Sequence, residues 1–151
     1  MILIEANKKQ DSNRYKLAIA LAEYAHEGQT DKAGRRYVDH PLAVAQMVEG
    51  EECKIVAVLH DVLEDTFVSE ATLRNLFGDE ITDAVLAVTR KENESYDDFI
   101  IRAGNNKIAK AVKLADLRHN MDLSRLPEVK EEDLKRRAKY EKAYCYLQNK
   151  Q

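Results

Sequence analysis

At 151 residues, 44% of them hydrophobic, the chain is long enough for one domain with a true core, taken as residues 1–151, and too short for several. Charged residues make up 34% and leave a net charge of −3, which excludes the basic surface of a general nucleic-acid binder and reads as a solvated helical exterior of mixed sign. No apolar run approaches the roughly 20 residues of a membrane span, no N-terminal stretch reads as a signal peptide, and Cys53 and Cys145 lack CxxC spacing, so a reduced cytoplasmic setting is expected.

Taken in order, the chain opens with a short apolar start and the polar Lys8-Lys9-Gln10, residues 1–10 packing as an extended segment or fraying. Asp11 or Ser12 caps a predicted helix from about Asn13 to Ala25 or His26, apolar at Leu17, Ala18, Ala20, Leu21 and Ala25 and stopped by Gly28. Gln29 to Asp39 has no helical period. A loop of that length suggests a function. His40-Pro41 opens the next helix, with Pro41 in its first turn, and Gly50 ends it. A helix from about Glu51 to Asp65 follows, then a link at Thr66-Phe67-Val68. Ser69 caps a short helix through Leu76, closed by Phe77-Gly78, and Glu80 to Val88 forms another. Arg90 to Glu94 is a charged loop, Ser95 starts a helix carrying Tyr96, Phe99 and Ile100, and Asn105-Asn106 breaks it. Ile108 to Met121 is strongly apolar, Leu126-Pro127 turns, and Glu131 to about Leu147 is amphipathic, apolar at Leu134, Ala138, Ala143, Tyr144 and Leu147. The charges between Lys130 and Lys142 read as a solvated face. The class is an all-α helical bundle.

One stretch stands out within that bundle, Ile55-Val56-Ala57-Val58-Leu59-His60-Asp61-Val62-Leu63-Glu64-Asp65-Thr66. At about 100° per residue, His60, Asp61, Glu64 and Asp65 fall in one arc of roughly 140° on an otherwise apolar helix. Unpaired buried charge costs several kcal/mol or more, so a divalent cation is the natural neutraliser. His60 and Asp61 can meet one ion but cannot complete a site. The other places where an ionisable group precedes or interrupts an apolar helix are His40 and Asp116, so a His40, His60, Asp61, Asp116 set is expected between core helices. Such a mixed nitrogen and oxygen set with open positions suits Mn²⁺, Fe²⁺ or Zn²⁺, and the ion would acidify water. Glu64 and Asp65, one turn on, would position that water and exchange protons.

Plainer readings exist for some of these residues. Asp116 is also a candidate buried partner of Lys113 or Arg118. His26 and His119 are expected to bond backbone groups. Asn120, one turn after Asp116, is divided between a site role and a structural one.

Three blocks carry a family resemblance: Ala25 to Pro41 (AHEGQTDKAGRRYVDHP), Leu59 to Thr66 (LHDVLEDT) and Val112 to Met121 (VKLADLRHNM). They resemble the HD superfamily of metal-dependent phosphohydrolases, and more closely the hydrolase domain of RelA/SpoT enzymes and small alarmone hydrolases, over about residues 12 to 147. The resemblance implies a single Mn²⁺ on His40, His60, Asp61 and Asp116, with Glu64 and Asp65 serving the water. It implies removal of the 3′-pyrophosphate of (p)ppGpp, giving GDP or GTP, with Lys32 and Asn120 lining the nucleotide pocket and no synthetase domain. The implied partner is a small nucleotide, not nucleic acid or a membrane, and the sequence carries no mark of an oligomeric state. Asp31 stands where the family usually has an Arg that packs on guanine, and Asp122 to Leu126 replaces the usual Arg-Thr. These departures leave open another nucleotide, such as a 3′-phosphorylated one or NADPH, and a non-catalytic nucleotide-binding module. Arg35, Arg36 and Arg125 are the candidate substitutes for the missing phosphate contacts.

Overall fold

The computed structural model describes residues 11–150, and the expectation for residues 1–10 lies outside them. Among the described residues the chain is all α, in the order α1 (Asn13–Ala25), α2 (Asp39–Gln46), α3 (Glu51–Leu59), α4 (Val62–Asp65), α5 (Glu70–Phe77), α6 (Asp79–Ala87), α7 (Tyr96–Gly104), α8 (Lys107–Met121) and α9 (Glu131–Asn149). A single 3-10 turn, Leu123–Arg125, lies between α8 and α9.

Local chemistry sets most boundaries. The side chains of Ser12, Ser69, Ser95 and Asn106 each accept a backbone N–H from the first turn that follows, as expected of helix N-caps. Gly78 closes α5 and opens α6 at φ +83°, a backbone conformation that costs a residue with a Cβ. Gly50, expected to end α2, instead starts α3 at φ +89°; α2 stops earlier, at Gln46.

α3 is the hub. It packs against α1, α2, α6 and α8, and Ile55, Val56, Ala57, Val58 and Leu59 are all buried. A helix apolar all round belongs inside, since no face of it gains from water. Around it, buried side chains of α1, α2, α5 and α6, with Ala109, Val112 and Ala115 of α8, form the main core. A second, smaller core joins α7, α8 and α9 through Phe99, Ile100, Leu117, Ala143 and Leu147. Leu134, expected on the buried face of α9, is 47% exposed. Asp133 is buried there instead, its carboxylate accepting the Lys130 backbone N–H as the helix starts.

The expected continuous helix from Glu51 to Asp65 is broken. α3 ends at Leu59, the His60 N–H reaches Ala57 O at 3.4 Å, and Asp61 sits at φ −107°, ψ 0° before the short turn of α4 begins. The break redirects the carboxylates. Asp61 stays largely inside, while Glu64 and Asp65 emerge at the surface. The energetic problem posed by three buried acids on one helix therefore shrinks to Asp61 alone on this strand of chain, joined by Asp116 from α8.

Candidate metal centre

Three parts of the chain converge on one point. α2 supplies His40, the α3–α4 break supplies His60 and Asp61, and α8 supplies Asp116; His40, His60 and Asp116 are buried. Ligand atoms of His40, His60 and Asp116 all lie within 4.8 Å of one another. His40 Nε2 is 2.8 Å from Asp116 Oδ1, and His60 Nε2 is 3.4 Å from Asp116 Oδ1 and 3.1 Å from Asp61 Oδ2. Ligands about 2.1 Å from one ion are about 3.0 Å apart at octahedral angles and about 3.4 Å apart at tetrahedral ones, so these spacings fit a shared cation.

The hydrogen bonds fix what each imidazole offers. His60 Nδ1 is 2.6 Å from the carbonyl of Ala57, so Nδ1 carries the proton and donates it there. Its Nε2 is buried without a hydrogen-bond partner, a lone pair aimed at two carboxylates. His40 Nδ1 is 2.7 Å from His119 Nδ1. Burial, followed by the neighbouring His40 and Arg125, pulls the His119 pKa down to about 4, and the Nδ1 of a neutral His119 can accept from His40 Nδ1. In that tautomer His40 Nε2, 2.8 Å from Asp116 Oδ1, is free to act as a ligand. Two imidazoles and two carboxylates converging in a buried space suit a bound cation. This buried cluster can hold a divalent metal ion.

The His119 side chain, expected to bond a backbone group, instead bonds a histidine 79 residues away. His26 likewise meets a side chain, with Nδ1 3.0 Å from Gln29 Oε1.

Without a metal, protons take over part of this task. Burial opposes a charged His60, but Asp61 and Asp116 outweigh it and hold its pKa well above the ordinary value. Burial also works against ionised Asp61, and His60 outweighs it, holding the carboxyl at about 2. At Asp116 burial is overcome by Lys113 and His60, and the carboxyl sits well below the usual range. Lys113 Nζ lies 2.8 Å from Asp116 Oδ2, one of the two partners foreseen for that carboxylate. A raised folded pKa stabilises fully below the unfolded value of about 6.5, and the contribution disappears as pH rises through the folded value. Chelator-treated protein is therefore expected to lose stability as pH rises above neutrality, while the stabilisation added by a divalent ion grows over the same range. Denaturant midpoints with and without metal across pH 6 to 9 check this; parallel curves would contradict it.

Beside the cluster, Asp61, Glu64 and Asp65 place carboxylate oxygens within 4.8 Å of one another. Burial raises the carboxyls of both Glu64 and Asp65, with Asp61 adding to each. Tyr37 donates its hydroxyl to Asp61 Oδ2 at 2.6 Å and lies 3.4 Å from Asp65 Oδ2. Glu64 accepts the backbone N–H of Arg90. The loop that presents this N–H is clamped by Arg102, which donates to Leu86 O at 2.9 Å, Thr89 O at 2.6 Å and both oxygens of Glu94. Nothing in the local sequence flags Arg102, because its partners lie on the preceding helix and loop.

A cavity of about 490 Å³ opens over His40, Asp61 and Asp116. Lys32, Asn120, Lys113, Arg125, Arg136 and Tyr140 line it as well. Asn120 donates to Asp116 Oδ1 at 3.0 Å. The Gln29–Asp39 segment is a rigid hairpin-like loop. Tyr37 N–H bonds Gln29 O, Thr30 bridges Arg36, and Asp31 Oδ1 accepts the N–H groups of Ala33 and Arg35 at 2.8 and 3.0 Å. Asp31 borders the cavity, but this oxygen is engaged with its own loop and holds the tip that carries Lys32. Of the three arginines considered for phosphate, only Arg125 lines the cavity; Arg36 pairs with Asp39 outside it.

The HD domain family model matches residues 18–124. The chain belongs to that family. It is related to the HD-domain metal phosphohydrolases of the RelA/SpoT ppGpp hydrolase group. This HD domain is 32% identical over 135 residues to the bifunctional (p)ppGpp synthase/hydrolase SpoT of Escherichia coli strain K12, covering 79% of this chain and 19% of that protein. It is 35% identical over 133 residues to the guanosine-3′,5′-bis(diphosphate) 3′-pyrophosphohydrolase of Spiroplasma citri, covering 78% and 17%. The chain thus spans about a fifth of the length of the curated relatives it matches. Among solved structures it superposes with a TM-score of 0.77 on a metazoan ortholog of SpoT that hydrolyzes ppGpp, at 25% identity, covering 92% of this chain and 88% of that one. Among the described residues no helix is long and apolar enough to cross a membrane.

Proposed function

We propose that this HD domain is a metal-dependent (p)ppGpp 3′-pyrophosphohydrolase that uses Mn²⁺, with Fe²⁺ or Zn²⁺ as substitutes. The observation that carries the reading is the partnerless Nε2 of His60, buried between two carboxylates and beside His40. His40, His60, Asp61 and Asp116 hold the ion. When bound, it supplies Lewis acidity and acidifies water. An ion on Asp61 and Asp116 also leaves Lys32, Lys113, Arg125 and Arg136 in surplus over the remaining acids of the cavity, which suits a phosphorylated substrate.

The chain's own groups do the rest. Glu64, anchored through one oxygen by the Arg90 N–H, orients the attacking water and takes its proton. Asp65, with its raised pKa and the Tyr37 hydroxyl nearby, returns a proton to the leaving 3′ oxygen. The bond formed joins water oxygen to the phosphorus on that 3′ oxygen, and the bond broken is phosphorus to 3′ oxygen, so the products are pyrophosphate and GDP or GTP. Lys32 and Asn120 contact the nucleotide from opposite elements of the cavity wall. Purified protein given ppGpp and Mn²⁺ is expected to yield GDP and pyrophosphate. No turnover at micromolar enzyme would remove this substrate.

Asp31 favours a second reading. With its carboxylate bonded into the loop, it offers no cation to stack on guanine, and a 3′-phosphorylated nucleotide or NADPH becomes the competing substrate. Release of orthophosphate in preference to pyrophosphate across a nucleotide panel would select it.

The His40–His119 contact makes a separate prediction. Partners that orient a metal-binding histidine typically contribute about 10–100-fold to metal affinity. His119→Phe is expected to weaken Mn²⁺ binding within that range, read by calorimetry, because His40 loses the acceptor that fixes its tautomer.

A further inference from the structure

The segment between α6 and α7 meets the proposed chemistry at a single peptide unit. Glu64 Oε1 accepts the backbone N–H of Arg90, and the carbonyl of that same unit, Thr89 O, accepts Arg102 Nη2 at 2.6 Å. The Thr89–Arg90 peptide is trans, so its oxygen and its N–H leave opposite edges of one rigid plane. Arg102 holds one edge and Glu64 meets the other. Arg90 and Glu64 are both exposed, so core packing does not fix their contact.

Arg102, on α7, has the donors for this hold. Its Nε and Nη2 grip the two oxygens of Glu94 at 2.8 and 2.9 Å, and Nη1 reaches Leu86 O in the last turn of α6 at 2.9 Å. Four of the five N–H donors of its guanidinium are thus committed to α6 and the segment that follows it. Within the segment, Glu94 Oε1 also accepts the Lys91 N–H at 3.1 Å, and Glu94 O accepts Arg90 Nε at 3.0 Å. A donor on a peptide oxygen also polarises the N–H at the far edge, which strengthens its bond to a carboxylate. Arg102 does not line the cavity over the metal cluster, so its influence passes through this peptide.

We infer that Arg102 is a positioning residue for the reaction: it sets and polarises the Thr89–Arg90 peptide, which in turn aims the Glu64 carboxylate. This rests on the proposed role of Glu64, and the test keeps the two apart.

The first readout needs no substrate. In amide NMR of the full chain loaded with diamagnetic Zn²⁺, the Arg90 amide proton should lie downfield in the parent and move upfield in both Glu64→Ala and Arg102→Gln. The second readout is kinetic. With Mn²⁺ and ppGpp, Arg102→Gln should lower kcat by about 10- to 100-fold, the scale of a misplaced group, with KM and metal content unchanged. Arg102→Lys keeps a charge beside Glu94 but has no planar fork, and it should recover part of the loss. In a Glu64→Gln background the Arg102→Gln change should cost little more, because the route by which it acts is already lost. Equal losses in the two backgrounds, or an unmoved Arg90 amide in Arg102→Gln, would overturn the inference. Where Arg102→Gln does not fold, Arg102→Lys carries both readouts. A displaced Arg90 amide in a protein that never hydrolyses ppGpp would support the hold of Arg102 on Glu64 and remove the reaction.

Discussion

Asp61→Ala protein is expected to lose metal and turnover together. Asp61 Oδ2 is one of the two carboxylate oxygens facing the bare Nε2 of His60, at 3.1 Å. Removing it takes away a charged donor in direct reach of the ion, so affinity should fall by more than the roughly 10–100-fold that follows loss of an outer partner. The same change removes one of the two charges that hold His60 protonated in metal-free protein, so the His60 pKa should drop. It also strands the Tyr37 hydroxyl, which donates to Asp61 at 2.6 Å. Asp116 and its Lys113 partner are untouched, so the fold should survive. Metal content after dialysis, a calorimetric titration with Mn²⁺ and NMR titration of His60 check the three parts. Full metal occupancy in Asp61→Ala would show that Asp61 is not needed to hold the ion.

Glu64→Gln is the contrasting case. Glu64 is exposed, stands one turn beyond Asp61 and bonds the Arg90 N–H. The amide keeps the shape and can still accept from Arg90, but it cannot take a proton. Metal content should be unchanged, while kcat falls by about 10²–10⁴, the usual contribution of a positioned general base. The pH profile should change with it. Partial desolvation, with Asp61 and Asp65 nearby, holds the Glu64 carboxyl above its ordinary value, so the parent loses activity as pH falls through that raised pKa, and the variant should lack this acidic limb. Unchanged activity in Glu64→Gln would move the proton to Asp65 or to solvent. Together the two variants separate holding the ion from handling the water.

The sequence by itself determined the all-α class and most helix starts, and it marked the ionisable residues that interrupt the apolar helices. Ser12, Ser69, Ser95 and Asn106 act on N–H groups three residues away, so their helices are written locally. The apolar period marked α3 and α8 as buried, and ionisable residues stood out against it at His60, Asp61 and Asp116. Only the tertiary structure decided how these groups face one another. Periodicity assumes an unbroken helix, and the break at His60–Asp61 carries Glu64 and Asp65 from a buried stripe to the surface. It arises where the His60 imidazole and backbone N–H both turn to Ala57 O, a choice among nearby conformers that packing around α3 settles. His119 meets His40 across 79 residues, and Arg102 and Arg125 reach carbonyls on neighbouring segments. Such contacts leave no spacing in the chain, because they depend on which helices pack together. The sequence shows which ionisable residues interrupt the apolar helices; packing decides which of their atoms face one another.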